Sequence, residues 1–182
     1  MAELEAEIGR LIREYQAKTG KLLTIGTVES ATGGRIADRI TNVAGSSDYF
    51  KGSVVAYSNE VKIALLGVKK ATIENYGAVS EQTALEMARG GKKLLNVDIC
   101  VSDTGIAGPS GDTPEKPVGL FYLGLAARDA SLSQKHAFPG NREKNKRDAA
   151  EAALNMLKQY LLRRCSKSGI SSLKCINTRR ET

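Results

Sequence analysis

The sequence predicts an α/β domain of three layers, α/β/α, built around a mixed sheet. Short β-rich runs alternate with segments whose apolar residues recur at helical spacing, which is typical of a layered α/β fold. Two β-rich runs late in the chain follow each other without a helix between them and predict a hairpin. The sheet is therefore expected to contain antiparallel as well as parallel strands.

The first elements alternate between helix and strand. Apolar residues at helical spacing predict a helix over 3–18, and the β-rich run 22–28 predicts a strand. A glycine-containing turn follows that strand, and the spacing of Ile36 and Ile40 predicts the next helix. The next β-rich run predicts a strand over 53–57, and the segment after it predicts a helix over 59–66.

Ser80 is expected to cap a long helix that runs through Leu95, because a serine side chain accepts hydrogen bonds from the free N–H groups of a first turn. The next run, 98–102, predicts a buried strand. The segment 105–118 holds most of the chain's prolines and much glycine, which indicates a structured loop.

The chain closes with a predicted hairpin of strands over 120–127 and 132–138 and a last helix over 142–162. These elements predict one domain, 1–164, followed by a basic and flexible tail, 165–182. The segment 158–182 carries a formal charge of +6, and the whole chain carries +7. The body is thus nearly neutral, and a folded nucleic-acid-binding face is not expected.

Other function classes are disfavoured by composition. The apolar runs are too short to cross a bilayer, and residues 1–10 lack the order of a secretory signal, so we expect a cytoplasmic protein without a membrane partner. Three cysteines without CxxC spacing predict neither a disulfide framework nor a metal site. The single histidine, His136, lies in a strand pattern, and we interpret it as structural. If a serine is activated, lysine is the expected base.

A turn at the end of the first strand is the first candidate site. It contains Ser30, Thr32, Gly33 and Gly34. Ligands of open α/β sheets bind beyond the carboxyl ends of strands, and free N–H groups of the next helix favour phosphate or an oxyanion there. An ordinary tight turn with a capping hydroxyl would give a similar pattern.

Lys62 and Arg142 are both predicted in the first turn of a helix, where the helix dipole disfavours a positive charge. A catalytic role would explain Lys62, because a lysine in a positive and partly dry site loses its proton more easily. A solvated helix lysine is the alternative. A bound phosphate or carboxylate would explain Arg142. The loop that begins at Thr104 and Gly105 is a candidate substrate wall.

Six segments in unbroken order resemble the CinA C-terminal domain family over about residues 5–162. They are ESATGG, TNVAGSSDYFKGSVVAYSNEVK, LLGV, GAVSE, TGIAGPSGDTPEKPVG and FPGNR. The family includes stand-alone bacterial deamidases of nicotinamide mononucleotide. The chain departs from the family at Ala31, where a cysteine is familiar, and the basic tail lies outside the resemblance.

The resemblance implies hydrolysis of the carboxamide of nicotinamide mononucleotide to nicotinic acid mononucleotide and ammonia. It places the nucleophile at Ser30, with Tyr57 and Lys62 working with it. It implies a substrate-binding role for a further set of residues, namely Thr32, Gly33, Gly34, Gly45, Ser46, Thr104, Gly105 and Arg142. No cofactor or metal is implied, and a small nucleotide substrate and a homo-oligomer are expected.

Two alternatives stay open from the sequence. One is a non-catalytic nucleotide-binding or competence-associated protein, with the basic tail as a contact. The other is a hydrolase of a different small amide. Whether the substrate is nicotinamide mononucleotide or another small amide, the expected oxyanion donors of a hydrolase are backbone N–H groups within 31–34 or at 45–46.

Overall fold

The computed structural model describes residues 3–167, in which six helices and five strands are formed. The helices are α1 (Leu4–Thr19), α2 (Arg35–Thr41), α3 (Asn59–Leu66), α4 (Lys70–Tyr76), α5 (Glu81–Leu94) and α6 (Arg142–Lys167). The strands are β1 (Ile25–Glu29), β2 (Phe50–Val55), β3 (Ile99–Gly105), β4 (Leu120–Ala126) and β5 (Ser131–Ala137). A short 3₁₀ turn, Ser46–Asp48, precedes β2.

The sheet is mixed, as the late hairpin predicts. Its strand order is β2-β1-β3-β4-β5. β1 pairs in parallel with both β2 and β3, whereas β4 is antiparallel to β3 and to β5. The carboxyl ends of three parallel strands therefore meet at one edge of the sheet, and side chains that follow β1 and β2 face the end of β3 there.

Helices cover both faces of the sheet, which confirms the three layers. One core joins α1, α2 and α6 to the face that carries Ile99 and Val101. The second core joins α3 and α5 to the face that carries Val28 and Cys100. Successive residues of β3 thus enter opposite cores, as the two-residue period of a strand requires. Burial raises the pKa of the Cys100 thiol to about 12, so this side chain behaves as a small apolar residue.

Several elements form where the sequence predicts them. The α3 helix has the predicted bounds, with Ser58 as its cap, and the Ser80 side chain caps α5 by accepting a hydrogen bond from the N–H of Thr83. The apolar residues that recur at helical spacing along α6 predict its inner face and are buried throughout, namely Ala149, Ala153, Leu154, Leu157 and Leu161.

Other boundaries differ from the prediction. β2 begins at Phe50 instead of residue 53, because the strand passes through Gly52, which lies opposite Gly26 of β1. It ends at Val55, where the backbone leaves the sheet. β3 extends to Gly105. The seven-residue α4 was not predicted, since its segment has only one buried residue, Thr72, and no side-chain cap.

The last helix is longer than predicted and takes in the first residues of the predicted tail. It continues to Lys167, and Cys165 is buried against α1, with its Sγ 3.9 Å from the carbonyl oxygen of Leu11. The rest of the predicted tail, residues 168–182, lies outside the described residues. Within 3–167, no helix has the length and apolar character needed to span a membrane.

Candidate active site

Ser30 and Lys62 meet at the carboxyl edge of the parallel strands. Ser30 directly follows β1, and Lys62 lies in the first half of α3, which follows β2. The Lys62 Nζ atom is 3.0 Å from the Ser30 Oγ atom. This confirms neither the role of a nucleophile nor that of a base, but it places a hydroxyl and an amine in direct hydrogen-bond contact.

The Lys62 side chain is almost completely withdrawn from water, with 2% of its surface exposed. Burial lowers the pKa of its amine below the ordinary lysine value, whereas the negative charges of Asp103 and Glu60 act to raise it. The Lys62 residue is therefore not the solvated helix lysine of the alternative interpretation.

Lys62 makes three hydrogen bonds at the base of the site. Its Nζ donates to the carbonyl oxygens of Ala56, at 2.9 Å, and Tyr57, at 3.0 Å, and to the Ser30 Oγ. These three acceptors match the three N–H groups of the ammonium form. A neutral amine has two N–H groups, which the two carbonyls can take, and its lone pair can then accept the hydroxyl hydrogen of Ser30.

The turn that carries Ser30 is held by a buried carboxyl group. Asp103, near the end of β3, accepts hydrogen bonds from the backbone N–H groups of Ser30, at 3.0 Å, and Thr32, at 3.1 Å. Its Oδ1 atom also contacts the hydroxyl of Thr32. Burial, with a smaller contribution from the charge of Glu29, raises the pKa of Asp103 to about 6, and its hydrogen bonds act in the opposite direction.

A second buried carboxyl group caps α2. Glu29 accepts hydrogen bonds from the backbone N–H groups of Gly34, Ile36 and Ala37, at 2.8 to 3.1 Å. A negative charge at the start of a helix is favourable because of the helix dipole. The expectation that these N–H groups face a phosphate or an oxyanion is wrong, because the protein's own carboxylate already occupies them.

A pocket of about 280 Å³ opens above Ser30 and Lys62. Ala31, Tyr57, Thr104, Gly105 and Arg142 also line it, together with residues of the loop after β3. Its size is near the lower end of the range found for small-molecule sites. The pocket can therefore admit a small ligand directly to the serine and lysine.

Tyr57 and Arg142 form the outer wall of this pocket. The Tyr57 side chain is 63% exposed, and its hydroxyl accepts a hydrogen bond of 3.0 Å from the guanidinium of Arg142. Arg142 also donates to the carbonyl oxygen of Gly108, at 2.8 Å. Lys62 contacts only the backbone oxygen of Tyr57, so the phenol is directed toward Arg142 and not toward the amine.

Thr104 and Gly105 line the inner wall, as predicted. The Thr104 hydroxyl donates to the carbonyl oxygen of Ala78, at 2.8 Å, and keeps its lone pairs for a ligand. A β-carbon at Gly105 would lie 2.4 Å from the ring of Phe121. Glycine is therefore required there by the packing beneath the pocket.

Five predicted substrate-binding residues are not among those that line the pocket. Thr32 is fully buried between Glu29 and Asp103. Gly33 and Gly34 have positive φ angles and shape the turn, which is a conformation that glycine adopts without steric strain.

Gly45 and Ser46, which complete that group of five, lie just before β2. Because β1 and β2 are parallel, this position is at the opposite end of the sheet from Ser30. The carbonyl oxygen of Gly45 accepts a hydrogen bond from Arg13. The two residues are therefore not part of the pocket within this chain.

Two of the four backbone N–H groups within 31–34 are used by buried carboxyl groups and are not available as oxyanion donors. Within 31–34, the N–H groups of Thr32 and Gly34 are used by Asp103 and Glu29. Those of Ala31 and Gly33 make no hydrogen bond to another described residue. Only Ala31 lines the pocket.

Sequence reasoning missed two residues that support the site. Asp103 looked like the end of an apolar strand, and Asn145 like a polar residue of a first helical turn. The fully buried Asn145 amide donates to the carbonyl oxygens of Ala107 and Gly140 and accepts from the N–H of Gly140. It thus ties the pocket loop to the segment before α6. The signal for Asn145 is its burial near the start of α6. That burial can be seen only in the three-dimensional structure.

No cluster of three or more His, Cys, Asp or Glu side chains in the described part of the chain has the arrangement of a metal site. His136 lies on β5, where its ring stacks on that of Phe138, with centroids 5.5 Å apart. Its ring nitrogen Nε2 lies 3.2 Å from Oε1 of Gln134, within hydrogen-bond distance. The structural interpretation of this histidine fits its position.

Comparison with known proteins places the chain among relatives that match most of its described residues. The family model of the CinA C-terminal domain matches residues 3–161. A CinA-like protein of Kosmotoga olearia is 49% identical over 158 residues, which are 87% of this chain and 38% of the relative. A putative competence-damage inducible protein of Halothermothrix orenii is 52% identical over 159 residues, or 87% and 37% of the two chains. The chain spans little more than a third of the length of these curated relatives.

Solved structures match over nearly the whole of their chains. The competence/damage inducible protein CihA from Agrobacterium tumefaciens has a TM-score of 0.77 and 38% identity, covering 85% of this chain and 93% of that chain. A CinA superfamily protein from Klebsiella pneumoniae has a TM-score of 0.81 and 28% identity, covering 88% and 96%. The layered α/β fold with its mixed sheet is thus shared with these proteins.

Proposed function

This chain belongs to the CinA C-terminal domain family, and on that basis we propose that it is a cytoplasmic amidase that hydrolyses nicotinamide mononucleotide. The products are nicotinic acid mononucleotide and ammonia. The observation that carries the proposal is the 3.0 Å contact between the Ser30 hydroxyl and the buried Lys62 amine at the base of a small pocket. A pure binding site has no need for that contact.

In the first half of the reaction, the Ser30 oxygen attacks the carboxamide carbon while its proton passes to Lys62. The carbonyl oxygen becomes an oxyanion, and we assign the N–H of Ala31, a residue that lines the pocket, as its donor. The tetrahedral intermediate then breaks its C–N bond. The leaving nitrogen takes the proton from Lys62 and departs as ammonia, which leaves an ester on Ser30.

In the second half, a water molecule attacks this ester and gives its proton to Lys62. The C–O bond to Ser30 breaks, the serine recovers its proton from Lys62, and the carboxylic acid product is released. One amine thus serves twice as base and twice as acid, and no other proton carrier is needed. Tyr57 acts at the pocket wall in this mechanism instead of relaying the proton, because its hydroxyl bonds to Arg142.

Lys62 must be neutral to begin the reaction. Working near neutral pH requires its pKa to fall from about 10.4 to roughly 7–8, which corresponds to about 4 kcal/mol. Burial can lower the pKa of a lysine by up to about 3–5 units. The desolvation of Lys62 acts in this direction, and the two backbone carbonyls can take both N–H groups of the neutral form.

The substrate's charge suits the outer wall. Arg142 is exposed at the pocket mouth and presents a guanidinium, which binds phosphate in a two-pronged geometry. The amide end of a small nucleotide would reach Ser30 while its phosphate stays near Arg142. This arrangement distinguishes a nucleotide from a free amide of the same ring.

The direct test is ammonia release by the purified chain. Nicotinamide mononucleotide, nicotinamide riboside and nicotinamide are compared, each with and without a chelator. We expect rapid release from the mononucleotide, much slower release from the other two, and no effect of the chelator. Turnover of another small amide, with none of the mononucleotide, would contradict the proposed substrate, and absence of release from every amide would contradict the amidase.

A further inference from the structure

Asp103 holds the backbone on both sides of the proposed nucleophile. Its two carboxyl oxygens accept hydrogen bonds from the N–H groups of Ser30 and Thr32, and the side chain is fully buried. The two N–H groups lie on either side of Ala31, so the carboxyl group spans the turn. It thereby fixes the backbone from which the Ser30 oxygen faces Lys62.

The hydroxyl of Thr32 lies between two carboxyl groups. Its Oγ1 is 2.7 Å from Oε2 of Glu29 and in contact with Oδ1 of Asp103. A hydroxyl has one hydrogen and can donate to only one of them. The second contact is favourable only if that carboxyl group carries a proton and donates it to Thr32. The two contacts need two hydrogens, and the Thr32 hydroxyl supplies one. One of the two carboxyl groups must therefore be protonated.

The position of that proton follows from the other contacts. Oε2 of Glu29 already accepts from the N–H groups of Gly34 and Ile36, and Oε1 accepts from Ala37. These donors and the start of α2 favour a negative charge on Glu29. Asp103, by contrast, accepts from two backbone N–H groups, those of Ser30 and Thr32. The proton therefore resides on Asp103.

We propose that Asp103 is a positioning residue for Ser30 and that its proton completes a hydrogen-bond chain that runs from Asp103 through Thr32 to Glu29. The inference rests on the proposed serine and lysine chemistry and adds a residue to it. With the proton in place, the turn is held and no charge lies beneath Lys62. Loss of the proton breaks the contact with Thr32 and leaves a negative charge that favours the protonated, inactive amine.

Charged groups of β1 and α3 act on this hydrogen-bond chain. Glu29 faces Asp103 from β1, and its charge favours the protonated form of Asp103. Lys62 faces it from α3, and a charge on Asp103 raises the pKa of Lys62. Glu60, on the same helix, acts on Lys62 in the same direction.

The test uses the reactivity of Ser30 and needs no nucleotide. Phenylmethanesulfonyl fluoride forms a sulfonyl ester with an activated serine as fluoride leaves, and mass spectrometry measures the rate at Ser30 as a function of pH. In Asp103→Asn the side chain keeps its size but cannot ionise. We expect its maximal rate to fall severalfold, because one backbone N–H loses its acceptor.

The decisive observation is whether reactivity falls when Asp103 ionises. In the unchanged protein we expect the rate to fall as Asp103 loses its proton, because the resulting charge favours the ammonium form of Lys62. Asp103→Asn cannot ionise at this position and should show no such fall. Asp98→Asn is the matched control, since Asp98 accepts from the N–H and hydroxyl of Thr24 at the other end of β3. Its pH profile should keep the fall. A purely structural role of Asp103 would lower the rate at every pH equally, and this result would overturn the inference.

A second pair of variants covers a failure of Asp103→Asn to fold. Thr32→Val removes the hydroxyl and should slow the reaction of Ser30 about tenfold, whereas Thr32→Ser retains the hydroxyl and should stay within about threefold of the unchanged protein. Equal rates for the two variants would overturn the proposed hydrogen-bond chain. If Ser30 of the unchanged protein reacts and ammonia is released, but the variants change neither the pH profile nor the rates, then only this inference fails. If Ser30 reacts and no amide is hydrolysed, only the proposed substrate fails.

Discussion

Gly90 of α5 lies against the backbone carbonyl of Leu66, the last residue of α3. A β-carbon at Gly90 would be 1.8 Å from that oxygen. The two helices can approach this closely only because Gly90 has no side chain. Lys62 lies one turn before Leu66, so this contact helps to set the depth at which the amine enters the site.

Gly90→Ala should therefore weaken both the fold and the site. Alanine favours a helix by about 1 kcal/mol over glycine, yet the clash is with backbone, and overpacking of this kind costs about 1–3 kcal/mol or more. We expect a lower free energy of unfolding in urea and slower labelling of Ser30. Lys93→Ala, an exposed change on the same helix, should alter stability by less than about 0.5 kcal/mol. A variant more stable than the unchanged protein would show that α3 and α5 are not in this contact.

Ser30→Ala and Lys62→Ala should each abolish ammonia release while the fold survives. The two groups act in the same step, so the double variant should be no slower than either single variant, and residues that act as a unit are non-additive in this way. Turnover and thermal unfolding are measured on the same samples. Near-normal turnover of Ser30→Ala would remove the covalent mechanism.

The stability of the protein should depend on pH through Lys62. Burial lowers the pKa of Lys62 in the folded state, so between that value and about 10.4 the unfolded chain binds more protons, and stability rises with pH. Relative to Lys62→Met, the unchanged protein should gain about 1.4 kcal/mol for each unit by which the pKa is lowered, between pH 7 and pH 10. Urea unfolding of both proteins at several pH values measures the difference. A constant difference would mean that the pKa of Lys62 is the same in both states.

Arg142→Ala should affect the binding of the phosphate more than the chemical step. We expect KM for nicotinamide mononucleotide to rise about 10–100-fold, as for the loss of a charged hydrogen bond, with a smaller rise for the riboside. Arg147→Ala, exposed on the same helix, is the control. An equal loss for both substrates would assign Arg142 to the pocket wall instead of to the phosphate.

Asn145→Ala should loosen the pocket wall. It leaves buried backbone groups of Ala107 and Gly140 without partners, and we expect the free energy of unfolding to fall by about 1–3 kcal/mol. Asn155→Ala is the matched control, because the exposed Asn155 amide bonds only to its own helix. Similar effects of the two changes would contradict the role of Asn145 in holding the pocket loop to the segment before α6.

Much of the fold is predictable because its signals are local. The caps Ser58 and Ser80 and the apolar face of α6 each depend on residues within a few positions of one another. The short α4 has no such signal. The passage of β2 through Gly52 depends on Gly26 of the neighbouring strand, which periodicity along one segment cannot reveal.

The site divides in the same way. Ser30 and Lys62 could be singled out from the turn and helix that carry them, and the resemblance joined them. Asp103 could not, because its importance comes from the N–H groups of a turn that lies more than seventy residues earlier in the sequence. Gly45 and Ser46 are the opposite case, since a shared motif predicts a substrate-binding role for residues that the parallel strands of this chain place at the far end of the sheet from Ser30.

The length of α6 separates its first residue from its last. The helix begins at Arg142 beside the pocket and has 26 residues, which corresponds to about 39 Å. A fluorophore or affinity handle attached after Lys167 would thus start well away from the entering substrate. The end of α6 is accordingly a suitable place for a handle in the binding and turnover measurements described above.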